Sequence, residues 1–126
     1  MMCARIKSNA LEFILGVSRS LHPREFTGQL RGEGDLITET LVIPASTFGN
    51  GFATTRFDMI PLDKSIIGSI HSHPSNTYRP SEADFRYFER GGSIHLIVRY
   101  PYNGLGDVAA YTSSGERISL EVDDEN

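Results

Sequence analysis

The residues able to do chemistry gather in one stretch, HSHPSNTYRPSEAD, residues 71–84. His71 and His73 stand two apart, Asp84 lies eleven residues past His73, and Ser81 opens the run SEAD. Upstream, Ser65 to Ile70 (SIIGSI) is apolar and partly β-branched, the pattern of a buried strand. Residues i and i+2 of a strand point to one face, so both imidazoles can be offered to a single point at the strand's end. Pro74 has no N–H to donate and stops the ladder. A polar loop follows to Pro80. Ser81 reads as a helix N-cap with Asp84 at the N3 position, its carboxylate pointing back from the first turn. Two imidazoles and a carboxylate form a three-ligand set for zinc, and three protein ligands leave the fourth position to water, as catalytic rather than structural sites do. Ser-x-x-Asp alone is a capping motif; His-x-His at fixed spacing is what turns it toward metal chemistry.

Other hydrolytic signatures are missing. There is no His-Glu-x-x-His, and the single cysteine, Cys3, excludes the Pro-Cys-x-x-Cys of zinc deaminases, any cysteine-based zinc site and an internal disulfide. Ser81, His73 and Asp84 could be assembled into a triad, but no nucleophile elbow supports it.

The elements that must hold this stretch follow from periodicity. Ser8 to Leu21 reads as an amphipathic helix, with Leu11, Ile14, Leu15 and Leu21 near an i, i+3, i+4 stripe and Asn9 and Glu12 spaced as a capping box. His22-Pro23 ends it. Glu25–Arg31 and Leu36–Ile43 read as a hairpin around GEGD, its glycines serving a turn rather than a phosphate cradle. Ala45–Ala53 is a Gly-rich loop and Thr54–Met59 a short strand. Glu82–Arg90 is a helix with Ala83, Phe85 and Phe88 toward the core, stopped by Gly91-Gly92. Ile94–Tyr100 is a strand in which His95 is structural. Tyr102–Gly106 is a loop, and Val108–Thr112 with Arg117–Val122 closes the chain as a hairpin. With no repeat, low-complexity tract or linker, residues 1–126 are expected to be one α/β domain with helices packed on a mixed sheet.

Composition narrows the function. The formal charge of −4 and the scattered basic residues argue against a nucleic-acid groove. No apolar run is long enough to span a membrane, and the N-terminus lacks the apolar core of a signal peptide. A cytoplasmic protein is expected.

His71-Ser72-His73, the seven residues Pro74 to Pro80, then Ser81-Glu82-Ala83-Asp84 resemble at every motif position the signature of the JAMM, or MPN-plus, metallopeptidases. The resemblance covers most of the chain. It implies a curved mixed sheet flanked by helices, of cytidine-deaminase-like architecture, with one Zn2+ per chain held by His71, His73 and Asp84. It implies a glutamate base at the start of a strand after the first helix. Glu25 fits that placement, with Glu12 and Glu39 as competitors. It also implies that Ser81, besides capping, donates to the oxyanion. The activity it implies is isopeptidase cleavage between the C-terminus of a ubiquitin-like modifier and a target lysine, so the expected partners are such modifiers and their conjugates. Trimming of a ubiquitin-like sulfur carrier, or an inactive module on the same fold, are the alternatives. A homodimer is left open.

Overall fold

The structure, a computed structural model, describes residues 3–43, 65–89 and 92–124. The expected Gly-rich loop Ala45–Ala53 and strand Thr54–Met59 lie outside the described residues, as do Arg90 and Gly91.

The first element is a strand that periodicity did not announce, β1 (Cys3–Lys7), in which Ala4 and Ile6 are buried while Arg5 is exposed. It runs straight into helix α1 (Ser8–Leu21). The expected Asn9–Glu12 capping box does not form. Lys7 occupies the N-cap position with no side-chain cap, because the helix begins directly off the strand. Packing holds it instead: Ala10, Leu11, Ile14, Leu15 and Ser18 are buried on one face. The helix stops at Leu21, with His22 as C-cap ahead of Pro23.

Strands β2 (Thr27–Glu33) and β3 (Leu36–Ile43) form the expected hairpin, with β2 starting two residues later than its sequence pattern indicated. Glu33 pairs with Leu36, and Gly34 takes the left-handed conformation (φ 61°) that the two-residue turn requires. Gly32 lies in the strand beside a bulge rather than in the turn. β4 (Ile66–His73) extends through both histidines. Helix α2 (Glu82–Glu89), β5 (Ile94–Arg99), a 3-10 turn (Leu105–Asp107), β6 (Val108–Tyr111) and β7 (Arg117–Asp123) complete the described chain.

The strands order as β1-β3-β2-β4-β5-β6-β7 and close into a barrel, because β7 pairs parallel with β1 from Cys3↔Ser119 to Lys7↔Asp123. The expected mixed sheet is thus present, its curvature carried to closure, with β1–β3, β1–β7 and β4–β5 parallel and the other pairs antiparallel.

Alternation on the central strands divides the interior. On β5, Ile94, Leu96 and Val98 join the large core with α1, β1 and Ile70 of β4. Ile97 joins a smaller core with Phe88 of α2, Ala109 and Tyr111. A strand buried on both faces is what parallel pairing between helices demands. The two-residue period therefore sends Ser69, His71 and His73 of β4 toward α2, while Ile70 and Ser72 face the large core. Gly68 lets β4 come this close to β5: a Cβ there would meet the Ile94 carbonyl oxygen at 1.5 Å.

Candidate active site

His71 and His73 stand on the α2 side of β4. Pairing to β2 on one edge and β5 on the other fixes their backbone, Thr27↔His71↔Ile97 and His73↔Arg99. α2 brings the carboxylate. Ser81 Oγ accepts the Asp84 backbone N–H at 3.2 Å, and Asp84 Oδ2 accepts the Ser81 N–H at 2.8 Å. This reciprocal capping box ties the Asp84 side chain back over the first turn. There Asp84 Oδ2 lies 3.1 Å from His73 Nε2. Phe88, one turn on, is fully buried and stacks on His95 with ring centroids 4.7 Å apart, which seats the helix on β5. Ala83 and Phe85 are exposed, contrary to their expected core role, because so short a helix packs along the single edge that carries Asp84 and Phe88.

The environments of the two histidines differ. Burial pushes the His71 imidazole down to about 4, against a smaller opposing pull from Asp84, so the ring is neutral near pH 7. His73 is displaced upward, chiefly by its hydrogen bond to Asp84 and against the effect of its own burial. Burial opposes ionisation of Asp84, but bonds from His73 and from the Ser81 N–H together with the nearby imidazoles outweigh it and hold the carboxyl below its usual range. His73 Nδ1–H donates to the Thr77 carbonyl at 3.0 Å, which fixes the ring and directs Nε2 at Asp84. The Tyr102 hydroxyl donates to the His73 carbonyl at 2.8 Å and meets His22 Nδ1 at 3.1 Å. Tyr102 is only 1% exposed, so it is a buried support of the site.

Glu25 is exposed, two residues ahead of β2, and near enough for its charge to raise the pKa of both His73 and Tyr102. Its placement depends on Ser72, the middle residue of His-Ser-His. Phe26 N–H donates to Ser72 Oγ at 2.8 Å, and Ser72 N–H donates to the Phe26 carbonyl at 3.1 Å. One buried serine thus pins the residue after Glu25 to the backbone between the two histidines. The competing carboxylates lie elsewhere: Glu39 is an exposed mid-strand residue 3.0 Å from Arg31, and Glu12 is exposed on α1.

Among the described residues, no three His, Cys, Asp or Glu side chains are gathered into one metal-holding group. His73 and Asp84 are in contact, and His71 flanks them on the same strand face. The donors nevertheless suit zinc. Ligands at about 2.0–2.1 Å in tetrahedral geometry stand about 3.3 Å apart, close to the 3.1 Å between His73 Nε2 and Asp84 Oδ2. One imidazole is held neutral, and the other is oriented by a backbone carbonyl.

Sequence reasoning missed Ser72, Thr77 and Tyr102. Ser72 carried a signal, since it lies inside the motif on the face opposite the histidines. Thr77 acts through its backbone and Tyr102 through the fold, so neither had one.

Residues 8–112 match the family of prokaryotic homologues of the JAB domain. The chain belongs to the JAB, or JAMM, family. A probable metalloprotease of Haloferax volcanii is 40% identical to this JAMM chain over 127 residues, covering 93% of it and 78% of the relative. A solved structure described as a metalloprotease-like JAMM zinc site in the proteasome and signalosome is 33% identical, with a TM-score of 0.74 over 98% of this chain and 100% of that one. A JAB1/MPN domain protein from Archaeoglobus fulgidus is 36% identical, with a TM-score of 0.75 over 96% and 99% of the two chains. The assignment as a JAMM-family metallopeptidase rests on these together.

Proposed function

We propose that this chain is a zinc-dependent isopeptidase that hydrolyses the amide bond between the C-terminus of a ubiquitin-like modifier and a target lysine. The observation that carries the reading is the His73–Asp84 contact, with His71 beside it and Phe26, the residue after Glu25, tied to the same backbone through Ser72. A zinc ion held by His71, His73 and Asp84 would polarise the scissile carbonyl and lower the pKa of water from 15.7 toward about 7. The chain's own residues do the rest. Glu25 accepts a proton from the attacking water and passes it to the leaving lysine amine. Ser81 Oγ spends an acceptor lone pair on the helix cap, which leaves its O–H hydrogen to donate to the carbonyl oxygen as negative charge develops there. Thr77 and Tyr102 hold His73 from its ring and its carbonyl while this happens.

The test is a gel assay on a ubiquitin-like protein fused through its C-terminal Gly-Gly to a reporter. The purified chain, with about one zinc bound, is expected to release the reporter. A chelator should abolish release and added zinc restore it. Cleavage that persists without zinc would remove the metal reading. A zinc-loaded protein that leaves both this fusion and a lysine-linked conjugate intact would remove the substrate.

A further inference from the structure

We propose that an arginine pocket on the outer side of the motif loop docks an acidic peptide segment of the protein substrate; this rests on the peptidase reading above. The loop 74–80 has two sides. Inward, the Thr77 carbonyl holds His73. Outward, the same loop walls a pocket of about 320 Å³ with Arg79, Arg99 and Arg117 around Tyr78. The chain carries 16 acidic against 12 basic side chains, yet among the described residues no acidic one lines this pocket. Arg99 is partly balanced by Asp107, Nε to Oδ1 3.0 Å. Arg79 and Arg117 are exposed.

The pocket is organised rather than merely charged. The Arg99 and Arg117 guanidinium carbons lie 4.3 and 4.6 Å from the Tyr78 ring centroid, and the Tyr111 hydroxyl donates to the Tyr78 carbonyl at 2.8 Å. Stacking on one ring orders two guanidinium groups in advance, so less side-chain entropy is lost when an anion arrives. Three guanidinium groups lining one pocket make it positive, and a carboxylate bound there relieves that potential while matching a planar fork.

The surroundings select a peptide over a free anion. Past Tyr78 and Arg117 the surface continues as a trough of about 310 Å³ over Leu105, Val108, Ile118 and Leu120. Inorganic phosphate has no use for that floor. A peptide with acidic side chains followed by apolar ones fills both parts. Docking there would lay the substrate alongside the loop whose inner side carries His73.

The experiment measures fluorescence anisotropy of a labelled peptide of three glutamates followed by two leucines, with the full chain at low ionic strength. The glutamate peptide should bind about tenfold more tightly than its glutamine counterpart, and added salt should weaken it. Arg79→Glu should cost about tenfold and Arg117→Lys should weaken binding less, with melting temperature and zinc content unchanged in both. Equal affinity for the glutamine peptide, or unchanged binding by both variants, would overturn the inference. So would full displacement by millimolar phosphate together with equal binding of a leucine-free peptide, which would mark a general anion site. Binding is read without hydrolysis. A chain that binds in the expected pattern but cleaves neither the fusion nor the lysine-linked conjugate leaves the docking site standing and removes only the proposed isopeptidase substrate. Cleavage with no glutamate preference does the reverse.

Discussion

At the scale of the residue, the site separates groups that would hold metal from groups that would move protons. Glu25 is exposed and lies within electrostatic reach of His73 without being bonded to it. Glu25→Gln keeps the size and a hydrogen-bonding oxygen but cannot take up a proton at neutral pH. We expect zinc content and substrate affinity to stay near the parent's and turnover to fall by about 10² to 10⁴. Zinc analysis, equilibrium binding and single-turnover rates on one preparation check this; lost zinc would reassign Glu25 to the metal or the fold. The motif residues were legible because their chemistry is local: an i, i+2 pair on a strand and an N3 carboxylate on a helix need only short-range geometry. Glu25 was legible only through the family resemblance. What brings it near His73 is a hydrogen bond between Phe26 and Ser72, 46 residues apart, and no local pattern encodes that.

At the scale of the element, α2 is short and its cap is also part of the site. Ser81 Oγ satisfies an orphan N–H of the first turn, and the residue giving that N–H is Asp84. Ser81→Ala should therefore cost about 1 kcal/mol through the cap and lower turnover by about 10²–10³ if the hydroxyl also serves the oxyanion. The carboxylate tether should survive, since it uses the Ser81 backbone N–H. Ser81→Asp caps well but, ionised, has no proton to donate to the reacting carbonyl. Urea midpoints near the parent's with turnover still depressed would separate the two roles, whereas recovery of both would reduce Ser81 to a cap. Sequence periodicity found α1, the β2–β3 hairpin and β4–β7 to within a few residues, since each has an apolar face of one period. It missed β1, five residues too short to show alternation before a strong helix pattern takes over. It also placed Ala83 and Phe85 inward, where two turns of helix offer only one packed edge.

At the scale of the whole molecule, stability and the site share a buried polar link between strand and helix. His95 is fully buried; its Nε2–H donates to the Gly92 carbonyl at 3.3 Å, Nδ1 accepts the Ser69 hydroxyl at 2.7 Å, and its ring lies against Phe88. Both nitrogens are thus satisfied in the neutral form. Burial lowers its pKa from 6.5 to about 4, opposed in part by the Gly92 carbonyl. The unfolded chain then binds more protons between those values, so stability falls as pH drops below 6.5 and the loss is complete near 4, at most about 3 kcal/mol. Above pH 6.5 the group contributes no slope. His71 acts in the same direction. Urea unfolding of parent and His95→Gln, both with chelator, should therefore give curves that differ in steepness between pH 6.5 and 4 and run parallel above it; equal slopes throughout would exclude His95 as a source. Barrel closure was not legible at all, because it is decided by the pairing of β1 with β7 and of β1 with β3, contacts between segments whose local patterns are silent about each other. That closure has a temporal consequence. During synthesis β1 leaves the ribosome before the other described strands, but the partner on one of its edges is the last of them, with Cys3 meeting Ser119. Until β7 emerges, β1 and β6 each keep an unpaired edge, and the nascent chain must carry a finished motif loop inside an unfinished barrel.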